Sequence, residues 1–431
     1  MKKRSALLIL IGIVALLFIG TVSYGILTPN NAYQHHTGLG ESIDISPDDE
    51  HLAFSYYKDG EQSIYLGNLE NGSTEEVVPS GTAQNSHPEF SPDGKGMIYF
   101  ASQEDGVNIL HYLPAPGEEP IQLTSDDMHV FEAIISPDGN TVYYIAMPSA
   151  DFNQPPGKQD NGSDIHRVDI DSDSHEKLTD KDAYDMRGLN MSQDGETLYY
   201  AGSDAGEVMT SYDIETGEEA EYHVSDLPDY VSQPTLSQNG AQLAYVAQDG
   251  ENENGTFIYE LFLMNTESGE TEQLTDYGAS VASPAFFTHT NRLALLAEED
   301  WPSEPSEFEL MTVSENGGDL TSIDLALPQD GNGIGFWAFI DRMVNAVTLS
   351  VLYLLMFGLS IAYMHMRSRT YLPVIISAVV AGLTIVGAII AVASNPWMAI
   401  GLTTLAIWLG GFTLILWIFA FAYRRMAGEA I

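Results

Sequence analysis

Ser91-Pro92-Asp93-Gly94 is one copy of a turn that returns along this chain at nearly constant spacing. Behind it come Met97-Ile98-Tyr99-Phe100, Asn108-Ile109-Leu110 and a closing Ile121-Gln122-Leu123-Thr124. Ser46-Pro47-Asp48-Asp49 opens an earlier copy, and Ser136-Pro137-Asp138-Gly139, Ser192-Gln193-Asp194-Gly195 and Ser237-Gln238-Asn239-Gly240 open later ones. The starts lie 45, 45, 56 and 45 residues apart, and a degenerate sixth copy has Phe287 in the serine position. The one long step holds an insertion, Ser149–Gly162, rich in Pro, Gly, Asn and Asp.

The turn chemistry is local. Proline fixes φ at the second position, aspartate bonds back to the backbone and glycine supplies a positive φ. Each copy holds four short strand candidates with alternating apolar residues, among them Tyr99, Tyr143 and Tyr199. One such unit cannot bury both faces, so neighbours must stack around a ring. A period near 45 with four strands is that of a propeller blade. Six copies predict an all-β six-bladed propeller over residues 33–328. No spare strand is visible that must complete another blade, so how the ring closes is left open.

The Ser-Pro-Asp-Gly turn, the apolar-aromatic strand after it and the closing Leu-Thr resemble the repeat of TolB-type six-bladed propellers. The N-terminal propellers of dipeptidyl-peptidase IV and other prolyl-oligopeptidase-like proteins share it. The resemblance implies the fold and not the activity, because such propellers serve unrelated roles. A peptidase of that kind needs a Gly-x-Ser-x-Gly elbow and a hydrolase domain. The chain has no such pentapeptide, and its C-terminal hundred residues are apolar. The expectation is therefore a protein that is not an enzyme, with no catalytic residues assigned.

Four apolar runs read as α-helical transmembrane segments, one N-terminal and three C-terminal. Ala6–Leu27 follows Lys2-Lys3-Arg4 within an N-terminal anchor, residues 1–28. Thr21-Val22-Ser23 is a poor signal-cleavage site, so an uncleaved anchor is expected. A linker spans 329–342, and the other helices span 343–366, 372–394 and 397–423. Arg367, Arg369, Arg424 and Arg425 flank them. The positive-inside rule then puts both termini in the cytoplasm and the propeller outside, with Trp337, Phe339, Trp397 and Tyr423 near the interfaces. The spans are read as free of the ionisable or polar groups that a transport path needs. Ala378 with Gly382, and Gly410-Gly411, are read as close-packing positions.

The net charge is −45, and 59 of the 61 acids but only 8 of the 16 bases lie between residues 25 and 340. Such a surface repels nucleic acid, so no nucleic-acid partner is expected, and it attracts cationic partners. It suits a salt- or alkali-tolerant Gram-positive bacterium. There is no cysteine, which removes disulfides, thiolate metal sites and a lipid-modified cysteine.

Asp169, Asp171, Asp173 and Asp180 imitate a calcium loop, but Ser174 stands where that loop needs glycine and Asp180 where it needs glutamate. A plain hairpin is expected there, with calcium as the alternative, and no other cofactor. His87 and Glu89 precede one turn and Glu132 another, so inner strands could bring them together in a central channel. The functional expectation is a membrane-anchored scaffold for a protein or cell-wall partner on the outer side. The alternatives are a channel-sited lyase or hydrolase on a cell-surface polysaccharide or peptide, and a ligand-sensing subunit that signals through a membrane partner. The oligomeric state is left open.

Overall fold

The computed structural model describes residues 2–28, 31–81, 83–155, 158–172, 174–202, 209–222, 231–328, 340–341, 343–392 and 395–428. The chain separates into two compact units, residues 32–331, and residues 1–31 with 332–431.

The first unit is built of antiparallel four-stranded motifs. They are β1 to β4 (Gly38–Ile45, His51–Lys58, Glu61–Asn68, Thr74–Val78), β5 to β8 (Gln84–Phe90, Met97–Ser102, Asn108–Leu113, Ile121–Gln122) and β9 to β12 (Met128–Ile135, Thr141–Pro148, Asp164–Asp169, Ser174–Lys177). Next come β13 to β16 (Met186–Met191, Thr197–Gly202, Met209–Asp213, Glu219–Tyr222). The last eight strands form one sheet, β17 to β20 (Ser232–Leu236, Gln242–Glu251, Phe257–Asn265, Thr271–Gln273) with β21 to β24 (Ser280–Phe286, Arg292–Glu298, Phe308–Ser314, Thr321–Ser322). A single parallel bridge, Tyr259 to Ser280, joins its halves.

Alternation explains the packing. On β22, Leu293, Leu295 and Ala297 join the core shared with β18 and β19, while Ala294 and Leu296 join the core shared with β1 and β2. Each sheet thus buries both faces, which gives the propeller-like stack. The closing Leu-Thr pins the fourth strand to the third. Leu123 and Leu274 are buried, and the hydroxyls of Thr124, Thr179 and Thr275 accept the amides of Leu110, Ile165 and Leu261 at 2.9 Å each.

The serine of the repeated turn has a role that the sequence reading missed. Ser91 Oγ accepts the Gly96 amide at 3.0 Å and donates to Asp93 at 2.7 Å. Ser46, Ser136, Ser192 and Ser237 repeat this with Asp48, Asp138, Asp194 and Asn239. Those serine bonds, and the amides two residues on, hold Asp48, Asp93, Asp138 and Asp194 below the usual carboxylate range. The turns also touch one another. A Cβ on Gly94 would lie 3.4 Å from Pro47, and one on Gly195 3.2 Å from Pro137. Gly240 meets nothing, because Gln193 replaces the proline of the preceding turn.

Among the described residues, the first and last sheets meet without a shared strand. Asp49, at φ 59° where other copies have glycine, accepts the amides of Thr288 and His289 at 2.6 and 2.8 Å. The segment after β24 lies on the first sheet. Ala326 N donates to Gly72 O at 2.7 Å, Thr74 Oγ1 to Ala326 O at 2.7 Å and Tyr56 OH to Pro328 O at 2.6 Å. At the start of the domain, Tyr33 stacks near Tyr57 and its hydroxyl accepts the Ser306 amide at 3.2 Å.

The second unit contains, among the described residues, four helices long and apolar enough to cross a membrane: Arg4–Leu27, Ala346–His365, Leu372–Ala391 and Pro396–Ala427. Arg4 donates to Met366 O at 2.9 Å and Tyr24 to Asp341 at 2.5 Å, so the first two of these helices run antiparallel. Trp337 and Phe339 lie outside the described residues. Two expectations are corrected. Polar groups do occur within the spans, since Tyr353 OH meets Ser377 Oγ at 2.8 Å and Ser377 Oγ meets Thr413 Oγ1 at 2.6 Å. Hydroxyls satisfy one another there, so they need no water. The packed face of Leu372–Ala391 is Ser377, Ala381 and Ala388, whereas a Cβ on Gly382, Gly410 or Gly411 would touch nothing.

Candidate functional site

The inner strands β1, β5, β9, β13, β17 and β21 surround a cavity of about 810 Å³. Each of the six carries an irregularity beside its neighbour strand. His87, Gln233 and Ser283 sit there at φ 50–52°, and Gly188 at φ 68°. A bulge of this kind swings backbone amides out of the ladder.

Amides at these bulges and farther along the free edges of the same strands are taken up by side chains of the four-stranded motif before. Asp44 accepts Phe90 N at 2.7 Å, Glu89 accepts Ile135 N at 3.1 Å, and Glu132 accepts Gly188 N and Leu189 N at 3.0 and 2.7 Å. Asn190 accepts Leu236 N at 3.2 Å, Gln233 accepts Ser283 N at 2.6 Å, and Ser283 Oγ accepts Ile43 N at 3.2 Å. All six acceptors line the cavity, and the set crosses every junction between consecutive motifs, including the seam. A local signal marks them. Asp44, Glu89 and Asn190 stand two residues before the turn serine; Glu132, Gln233 and Ser283 stand four before that position. Residues two apart on a strand share a face.

The electrostatics follow from burial. Desolvation pushes Asp44 up to about 7, against the pull of the Phe90 and Ile45 amides. Desolvation, then the nearby Asp44, pushes Glu89 up to about 8. Glu132 is raised by burial and pulled back by Leu189 and Gly188. The structure thus brings Glu89, Glu132 and His87 to the cavity, as the sequence suggested, but the two carboxylates are engaged with backbone. No Arg, Lys or Tyr lines the cavity among the described residues.

The other candidates resolve into local structure. Asp169 caps the β11–β12 hairpin by accepting Ser172 N at 2.8 Å. Asp180 lies beyond the far end of β12 and holds Lys177 at 2.7 Å, and Asp173 lies outside the described residues. Among the described residues, Asp48, Glu50 and His51 form the one group of three whose ligand atoms lie within 4.8 Å of one another, and Asp48 is already used by its turn. His129 is buried between Phe131 and Phe152, at ring distances of 4.5 and 3.6 Å, and desolvation pushes it down to about 4. It is a neutral core group.

Residues 29–154 match the model of the TolB beta propeller domain. An uncharacterized protein of Agrobacterium fabrum is 25% identical over 242 residues, which is 55% of this chain and 76% of that protein. Dipeptidyl-peptidase 5 of Porphyromonas gingivalis is 25% identical over 126 residues, 26% of this chain and 18% of the peptidase. Among solved structures, TolB from Acinetobacter baumannii shares 14% identity at a TM-score of 0.47, covering 66% of this chain and 65% of its own. An oligogalacturonate lyase in complex with manganese shares 13% at 0.46, covering 64% and 90%. The matched stretch is similar to a TolB-type propeller domain and makes up under a third of the chain, and the chain spans under a fifth of the peptidase.

Proposed function

We propose that this TolB-type propeller is a six-bladed binding scaffold without enzymatic activity, held in the cell membrane by four helices. In this reading the propeller lies outside the cell, both termini lie in the cytoplasm, and an acidic end face meets a protein or wall component. The observation that carries it is the state of the channel. Its acceptors each hold the backbone of the next blade, so using one in catalysis would loosen a junction. A general acid or base needs a group free to reach the substrate. The antiparallel pairing of Arg4 with Met366 and Tyr24 with Asp341 supports the topology, because it puts the basic N-terminus beside the Arg367/Arg369 loop.

The raised Asp44 and Glu89 favour a second reading, a channel-sited lyase or hydrolase on a surface polysaccharide or peptide. Crosslinking of the full-length protein in intact cells separates the two. A reproducible surface partner, with no turnover of wall fragments or peptides by purified protein, is expected. Turnover abolished by E89Q, with no partner captured, would replace the scaffold by the enzyme.

A further inference from the structure

The junction between β19 and β22 ends in an aromatic face that the core only partly covers. Phe257 and Tyr259 lie two residues apart on β19 and so share a side. Trp301, in the connection from β22 to β23, meets Tyr259 edge-on with ring centroids 5.9 Å apart. Phe257 is 46% exposed and Trp301 37%, whereas Tyr259 and Tyr277 rest on the buried cluster beneath.

Carboxylates gather at this face. Burial, and then Glu309, Glu299, Asp300 and Glu298, raise the Tyr277 hydroxyl above its ordinary value. Glu299 and Asp300 are exposed beside Trp301. The only Lys or Arg between residues 232 and 328 is Arg292. It opens β22, whose other end is Glu298, about 20 Å away at ~3.3 Å per strand residue. Exposed aromatic faces rimmed by unpaired acids attract a cation and disfavour an anionic lipid surface.

We propose that this face docks a lysine- or arginine-bearing segment of a partner protein, its cationic side chain seated against Trp301 and Tyr259 and flanked by Glu299 and Asp300. The aromatic faces supply the cation–π contact, and the two carboxylates select for positive charge. The site rests on the scaffold reading and names the chemistry of its partner.

The test uses the full-length protein in nanodiscs of zwitterionic lipid. Fluorescence anisotropy follows a labelled Gly-Arg repeat peptide, with a Gly-Gln repeat of equal length as the neutral probe. The Gly-Arg peptide binds and the Gly-Gln peptide does not. W301A weakens the Gly-Arg peptide by about 3- to 30-fold, the range of a cation–π contact, and W301F keeps most of the binding. E299Q/D300N weakens it more than E75Q/E76Q, a pair of the same charge on β4. Unfolding profiles confirm that each variant is folded. The site is overturned if W301A binds as the wild type does, or if E75Q/E76Q costs as much as E299Q/D300N, which would mean diffuse attraction. It is also overturned if Trp301-dependent binding goes to anionic vesicles instead of the peptide. Failure to capture a partner in cells, with peptide binding intact, would sink the scaffold reading and leave this site standing.

Discussion

The carboxylate of Asp49 holds the amide of Thr288 at 2.6 Å, across the seam where the last sheet meets the first. Both residues break the repeat, one standing where glycine is usual and the other following Phe287 where serine is usual. The two departures compensate each other. Asp49→Ala should cost about 2–4 kcal/mol, from hydrogen bonds to a charged acceptor together with a strained positive φ for alanine. Asp49→Gly relieves the strain and should cost less. Chemical denaturation of the two variants tests the order, and equal stability of Asp49→Ala and wild type would refute it.

Asp44 and Glu89 predict a pH dependence. Both have folded-state values raised above their ordinary 3.8 and 4.5, to about 7 and about 8. Between those limits the folded protein binds more protons than the unfolded chain. Their contribution to stability is full below about pH 4 and is lost as pH rises through 7 to 8. Asp44→Asn keeps the acceptor for Phe90 N and removes the titration. Melting temperature against pH should therefore be flatter for D44N over this window than for the wild type.

Contact between successive turns predicts an asymmetry among glycines. Gly195 and Gly240 share a positive φ, 74° and 66°, so alanine is strained by roughly 1–2 kcal/mol at either. Only Gly195 also faces a proline, Pro137, at 3.2 Å. G195A should be the less stable of the two in thermal unfolding, and a reversed order would argue against the turn-to-turn contact.

Ser377 is fully buried and bonded to Tyr353 and Thr413, so it links three helices. S377A should weaken the helical unit by about 0.6–2 kcal/mol, the range for hydrogen bonds between membrane helices. Unfolding in mixed micelles reads this, with S350A, whose hydroxyl bonds to Ala346 O within its own helix, as the comparison.

Much of the domain was legible because its cues are local. Proline, aspartate and glycine make their turn within four residues, and an apolar run reports its own length. The ring of acceptors was mostly hidden because each partner lies on another four-stranded motif: Phe90 is 46 residues from Asp44, and Ser283 is 50 from Gln233. His87 and Ser283 adopt left-handed backbone without glycine to announce it. Glu89 and Glu132 were singled out, but no sequence cue says that a channel carboxylate is already occupied by a neighbouring amide. Ser377 looked like one small residue among many, and only helix rotation shows which of Ser377 and Ala378 faces inward.

Both ends of the propeller unit are fastened at the same seam, Tyr33 to Ser306 and Pro328 to Tyr56. Tension applied between those ends therefore acts first on these few bonds, then on Asp49, Ser283 and the core that β1 and β2 share with β22, and only afterwards along any sheet. Such a ring yields like a split washer. Under load it gaps at one place while the remaining junctions stay shut, and it can spring closed again without refolding its strands.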